Sequence, residues 1–94
     1  MRIVWTEPAL RDLTAARTYI ALDNPAAAEG QFAFVISAVS NLARFPESAR
    51  PGRWAGTREL VVHKTPFLVP YRIRDNAIEV LRVLHSRQRW PEHP

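Results

Sequence analysis

Residues 56–91, GTRELVVHKTPFLVPYRIRDNAIEVLRVLHSRQRWP, hold three runs of β-branched and apolar residues separated by two short breaks. The breaks, Lys64-Thr65-Pro66 and Asp75-Asn76-Ala77, are turn signals. Links this short between strands imply hairpins, and so an antiparallel meander of three strands. Alternation sorts their side chains into two faces. In the first run Arg58, Leu60 and Val62 oppose Thr57, Glu59, Val61 and His63. In the second, Phe67, Val69, Tyr71 and Ile73 oppose Leu68, Pro70, Arg72 and Arg74. In the third, Ile78, Val80, Arg82 and Leu84 oppose Glu79, Leu81, Val83 and His85, so a regular strand would send Arg82 and His85 to opposite sides unless a bulge intervenes. Pro70 has no N–H to give to a ladder, which predicts that the second strand is irregular at its centre or unpaired on one side there.

The upstream half reads as support for this sheet. Residues 2–5 suit a short strand, and Thr6 is a good N-cap, with Glu7 and Pro8 in the first helical turn. Leu10, Leu13, Ala16, Arg17 and Ile20 follow at helical spacing and predict one inward stripe. Asn24 and Pro25 stop this helix and start another, expected over 25–45, whose stripe is Ala28, Phe32, Val35, Val39 and Leu42, widened by Ile36 and Ala43. The short joint makes the two helices an antiparallel hairpin. Residues 46–56 read as a loop that displays Arg53 and Trp54. The order is thus β-α-α-β-β-β, an α+β fold in which the helix hairpin covers one face of an antiparallel sheet and leaves the other partly open.

At 94 residues the chain reads as one domain, 1–94. A domain of this size buries only ~60–65% of its unfolded surface. It has no cysteine, so disulfides and thiolate zinc sites do not arise, which fits a cytoplasmic setting. No apolar run approaches the ~20 residues of a membrane span, and no signal peptide is visible. Neither helix pairs His or carboxylates at metal-ligand spacing, and the three glycines build no phosphate loop, so no metal or cofactor is expected. The net charge of +4 is uneven: residues 1–49 carry −1 and residues 50–94 carry +5. Twelve of the thirteen basic residues are arginine, whose guanidinium pairs bidentately with phosphate or carboxylate and stacks on aromatic rings. Such a half suits nucleic acid or an acidic protein segment, and equally an ordinary solvated surface.

The order and spacing of several local strings resemble the RelE/ParE superfamily of bacterial type II toxins. They include Trp5-Thr6 with Ala9, Asp12 and Leu13; Tyr19-Ile20 before Asn24-Pro25-Ala26; and Leu42 to Phe45-Pro46. Further on come Pro51-Gly52-Arg53, Gly56-Thr57-Arg58-Glu59-Leu60, Pro70-Tyr71-Arg72, and Arg82-Val83-Leu84-His85 ahead of Gln88 and Trp90-Pro91. The resemblance spans nearly the whole chain. It implies a toxin neutralised by a cognate antitoxin of the ParD or RelB kind, with operator DNA bound only through that antitoxin.

The superfamily divides by target. ParE-like members poison DNA gyrase, and RelE- and YoeB-like members cut mRNA on the ribosome. The nuclease reaction needs a base for the 2′-hydroxyl, a cation for the charged phosphorane and an acid for the leaving oxygen. Arg72, Arg82, His85 and Glu59 are the residues that resemblance nominates. The RelE pattern uses a cluster of Lys and Arg and a late tyrosine, whereas here the only lysine is Lys64 and no tyrosine follows Tyr71. The YoeB pattern ends in His-Tyr, and here Ser86 follows His85. The Gly-Thr-Arg-Glu-Leu and Pro-Tyr-Arg strings look closer to ParE and plasmid stabilisation, so gyrase inhibition without chemistry is the first expectation. A degenerate member that only binds its antitoxin is a third. Arg53, Trp54, Arg58, Arg72, Arg82, Arg87, Arg89 and Trp90 are then the expected contacts to target or antitoxin. Trp90 also reads as a plug over the sheet edge, and Tyr71 as a core residue with its hydroxyl at the rim.

Overall fold

A computed structural model describes residues Met1–Pro94. The elements are β1 (Arg2–Trp5), α1 (Glu7–Asp23), α2 (Ala28–Asn41), β2 (Arg50–Pro51), β3 (Arg58–Val61), β4 (Phe67–Arg74), β5 (Ala77–Val80) and β6 (Leu84–His85). The sheet runs β1-β5-β4-β3-β2, with β6 also on β4. The expected meander is present, but the sheet is mixed rather than antiparallel. Strand β1 lies parallel to β5, with Arg2 opposite Ala77 and Trp5 opposite Val80. The chain leaves β1 into α1, crosses the sheet through the helix hairpin and returns to the far edge, so the last full strand comes back beside the first in the same direction. A further two-residue strand, β2, forms inside the segment read as a loop and pairs Arg50 with Glu59.

Thr6 caps α1 as expected: its hydroxyl accepts from the Ala9 N–H at 3.3 Å and donates to the Val80 carbonyl at 2.9 Å. One side chain thus starts the helix and ties it to β5. The inward stripe of α1 is Ala9, Leu13, Ala16 and Ile20, while Leu10 and Arg17 face solvent. Helix α2 is shorter than expected. Asn24 accepts from the Ala27 N–H at 3.3 Å and so holds a turn over 24–27, and the helix proper begins at Ala28. Val35, Val39 and Leu42 bury against Val62, Val69, Tyr71, Ile78 and Val80 in one cluster.

The face assignment holds for β3 and β4: Phe67, Val69 and Tyr71 point to the helices, and Leu68, Pro70 and Arg72 point away. It fails in the third run. Tyr71 pairs with Val80, but Leu68 pairs with Leu84, so Leu81, Arg82 and Val83 stand opposite only Val69 and Pro70. The physical cause is Pro70. Its carbonyl accepts from Leu81 N–H at 2.9 Å and Arg82 N–H at 3.5 Å, but it has no N–H to return. Strand β4 stays continuous, and the irregularity passes to its partner as a one-residue bulge. Beyond the bulge the alternation is reversed. His85 lies opposite Phe67 on the helix side, and Leu84 is buried on the other. At Asp75 and Asn76 both φ angles are positive, 51° and 60°, which is the turn that suits a two-residue β4–β5 hairpin.

Candidate functional site

The nominated residues fall into two groups on opposite faces of the sheet. Glu59 and Arg72 lie on the face away from the helices, Glu59 beside the 50–54 segment. Glu59 is buried, its side chain only 5% exposed. Its carboxylate accepts from the Arg53 backbone N–H at 2.7 Å and from the Arg50 guanidinium at 3.2 Å, and Arg53 Nε lies 3.6 Å away. The Arg53 guanidinium also lies over the Trp90 ring, its carbon 3.6 Å from the ring centroid. Trp90 in turn meets Trp54 at 5.0 Å, and Trp54 Nε1–H donates to the Pro91 carbonyl at 3.1 Å. Trp54 is buried, not displayed, and Trp90 is the half-buried lid of this cluster. Arg72 pairs across strands with Glu79 at 2.6 Å.

Arg58 points to the helix side. Its guanidinium donates to the carbonyls of Glu47 and Ala49 at 3.2 and 2.9 Å. Beside it the Tyr71 hydroxyl donates to the Pro46 carbonyl at 2.7 Å. Together these two side chains hold the 46–49 segment against the sheet. Tyr71 is wholly buried rather than open at the rim. Its phenol pKa is raised by desolvation, against the opposing pull of backbone hydrogen bonding at Ala49 and of the Arg58 charge.

The second group gathers between α1 and β6. Arg82 grips Asp12 with two hydrogen bonds, 2.6 and 3.0 Å, and the same carboxylate accepts the Val83 N–H at 2.9 Å. The Asp12 hydrogen bond raises the Arg82 pKa further, so this guanidinium is a fixed cation. His85 stands edge to face with Tyr19 and Phe67, at 4.9 and 5.6 Å between ring centres. Its Nδ1 accepts the Arg87 N–H at 3.0 Å, which leaves the proton of the neutral ring on Nε2. Asp12, Ala15, Tyr19, Phe67, Val83, His85, Arg87 and Gln88 surround a pocket of about 450 Å³. Arg87 and Arg89 are exposed at its mouth and along the tail.

The bulge therefore brings Arg82 and His85 to one side, while Glu59 and Arg72 stay on the other. Asp12, Tyr19 and Arg50 organise these clusters and were not nominated as site residues. Asp12 lies 70 positions from Arg82, and no local pattern marks such a pair. No three His, Asp or Glu side chains converge to hold a metal ion.

Comparison with known proteins agrees with this architecture. A family model described as "ParE toxin of type II toxin-antitoxin system, parDE" matches residues 3–90. "Putative toxin Y4kP" of Sinorhizobium fredii (strain NBRC 101917 / NGR234) is 46% identical over 91 residues, 97% of this chain and 94% of that protein. "Toxin RelE2" of Caulobacter vibrioides (strain ATCC 19089 / CIP 103742 / CB 15) is 38% identical over 85 residues, 90% of this chain and 94% of that one. Among solved structures, the chromosomal ParDE TA system from P. aeruginosa superposes with a TM-score of 0.81 at 26% identity, over 90% of this chain and 95% of that one. A chain of the toxin-antitoxin complex RelBE2 from Mycobacterium tuberculosis gives 0.62 at 26% identity, over 89% and 95%.

Proposed function

The chain belongs to the ParE toxin family of type II toxin–antitoxin systems, and from that premise we propose that residues 1–94 form a toxin that inhibits DNA gyrase by binding. In this reading it performs no chemistry of its own and is neutralised by a cognate ParD- or RelB-like antitoxin, through which alone it meets operator DNA. The observation that carries the reading is the division of the four nuclease candidates between two faces, with three of them already engaged. Glu59 is occupied by Arg50 and Arg53, Arg72 by Glu79, and Arg82 by Asp12. In-line cleavage needs base, cation and acid to converge around a single phosphate, which side chains on opposite faces of a sheet cannot do. A basic surface for binding has no such requirement, and Arg53, Arg58, Arg72, Arg87, Arg89, Trp54 and Trp90 would serve it as contacts or as their supports.

The test is made in cells induced to express the chain alone, with DNA and protein synthesis labelled in parallel. DNA synthesis is expected to fall first, together with a damage response. In vitro, purified protein is expected to inhibit supercoiling by gyrase, and a flat response over a wide concentration range would sink the proposal.

A ribosome-dependent endonuclease is the second reading, favoured by the bulge that puts Arg82 and His85 on one side. It expects protein synthesis to fall within minutes while DNA synthesis holds. It fails if His85→Ala and Arg82→Ala proteins fold normally and remain as toxic as the parent.

A further inference from the structure

At one end of the sheet the face away from the helices is filled, with Glu59, Pro70 and Leu84 buried. At the other end it is open. Pairing sets Arg2, Ala77 and Arg74 in one row across β1, β5 and β4, and Val4, Glu79 and Arg72 in the next. Ile78 and Val80, which alternate with Ala77 and Glu79, belong to the core under the helices, so both rows lie on the open side. Arg2 and Arg74 are exposed, and Ala77 between them is only 4% exposed, as a small residue flanked by two long arginine stems is. Strand β1 is an edge of the sheet, so no further strand stands beyond Arg2.

The charges on this surface do not cancel. Arg72 is matched by Glu79 at 2.6 Å. The Asp75 carboxylate lies 3.9 Å from Arg74 Nε, beyond hydrogen-bond reach, and its side chain is 88% exposed. Arg2 has no carboxylate in ion-pair range. Arg2 and Arg74 stand two strand spacings apart, ~10 Å between their Cα atoms, and each is free to take an anion. Val4 is the one exposed apolar side chain in the two rows, and neither row holds a ring. A protein partner finds no anchoring pocket there, a membrane no apolar face to bury, and a single strand no ring on which to stack a base. A regular array of phosphates needs none of these. We infer that the Arg2–Ala77–Arg74 row holds the backbone of duplex DNA, one phosphate on each arginine, with Ala77 leaving room for the backbone between them. Contacts to phosphate read no bases, so this one is separate from operator recognition. That the duplex is the segment held by gyrase rests on the gyrase reading; the contact itself does not.

The test is fluorescence anisotropy with the full chain and a labelled duplex of arbitrary sequence, over a range of salt concentrations. Two phosphate contacts or more should give a slope of log affinity against log salt of about −2 or steeper. Arg2→Gln and Arg74→Gln should each make that slope shallower by about 1 and weaken binding about tenfold at about 50 mM salt, with unchanged circular dichroism spectra. Arg11→Gln removes the same charge from the exposed side of α1 and should alter neither quantity. A slope unchanged in both strand variants, or an equal loss in the Arg11→Gln protein, overturns the inference. So does a single strand of the same length that binds as tightly as the duplex.

The second arm compares inhibition of gyrase supercoiling by the parent protein and by the protein carrying both Arg2→Gln and Arg74→Gln. A need for at least about tenfold more of the double variant supports the assignment to gyrase-held DNA. Equal inhibition overturns that assignment, while the anisotropy still decides the duplex contact. If the parent does not inhibit gyrase at all, the gyrase reading fails, and the duplex contact stands or falls on the anisotropy and its variants.

Discussion

At Gly52 there is no room for a β-carbon. One built there would lie 2.3 Å from Thr57 Oγ1 and 3.1 Å from the Thr57 carbonyl carbon and oxygen. Thr57 cannot move aside freely, because its hydroxyl donates to the Trp54 carbonyl at 2.7 Å and its own carbonyl accepts the Gly52 N–H at 2.8 Å. Gly52→Ala is therefore expected to cost ~1–3 kcal/mol, as overpacked sites do, read from urea unfolding. Glu59 is the second residue on which this corner depends. Its buried carboxylate satisfies a backbone N–H and draws two arginines inward. Glu59→Gln keeps an acceptor but loses the charge, and it should destabilise by ~1–2 kcal/mol, since both guanidinium groups are more than half exposed and can turn to water. The same variant frees Arg53 from its anchor. The Trp54 and Trp90 fluorescence should then shift toward that of solvated indole.

Among the elements, the bulge decides what the site contains. Had the third run stayed regular, His85 would have faced away from α1. The bulge turns it toward Tyr19, and Asp12 clamps the bulge from α1. Asp12→Ala should accelerate hydrogen exchange at the Val83 N–H by more than at any β4–β5 ladder amide, because that N–H loses its acceptor. Asn76→Gly should stabilise the β4–β5 hairpin by ~0.5 kcal/mol, since the second turn position has φ of 60° and glycine adopts it freely, measured as a rise in the unfolding midpoint. These two places also show what the sequence could and could not tell. The turn at Asp75-Asn76, the Thr6 cap, the helix hairpin and the faces of β3 and β4 follow from spacings of two to four residues, and they were legible. Pro70 announced an irregularity, but its missing N–H can be met by either strand, and only the pairing reveals that β4 stays straight. The Arg82–Asp12 grip and the parallel β1–β5 edge join residues seventy or more positions apart, where periodicity carries no information.

The stability of the whole molecule should carry the mark of Tyr71. Burial raises the pKa of its phenol, so the folded protein retains a proton that the unfolded chain releases near pH ~10. The contribution is complete below that pH and is lost as the pH climbs toward the folded value. Tyr71→Phe should cost ~1 kcal/mol at neutral pH, for the lost bond to the Pro46 carbonyl, and should flatten the alkaline limb of stability against pH. Urea midpoints collected between neutral pH and the alkaline limb would test both halves of that statement. The placement of β1 has a consequence of another kind. Its sole partner in the sheet is residues 77–80, so this strand leaves the ribosome long before the strand it pairs with. Contacts so distant in sequence form late, and a nascent chain cannot close this edge before residues 77–80 have emerged. Until then β1 is unpaired, although the helix hairpin that follows it has already been made. The order of synthesis itself delays the closing of this sheet until residues 77–80 have been made.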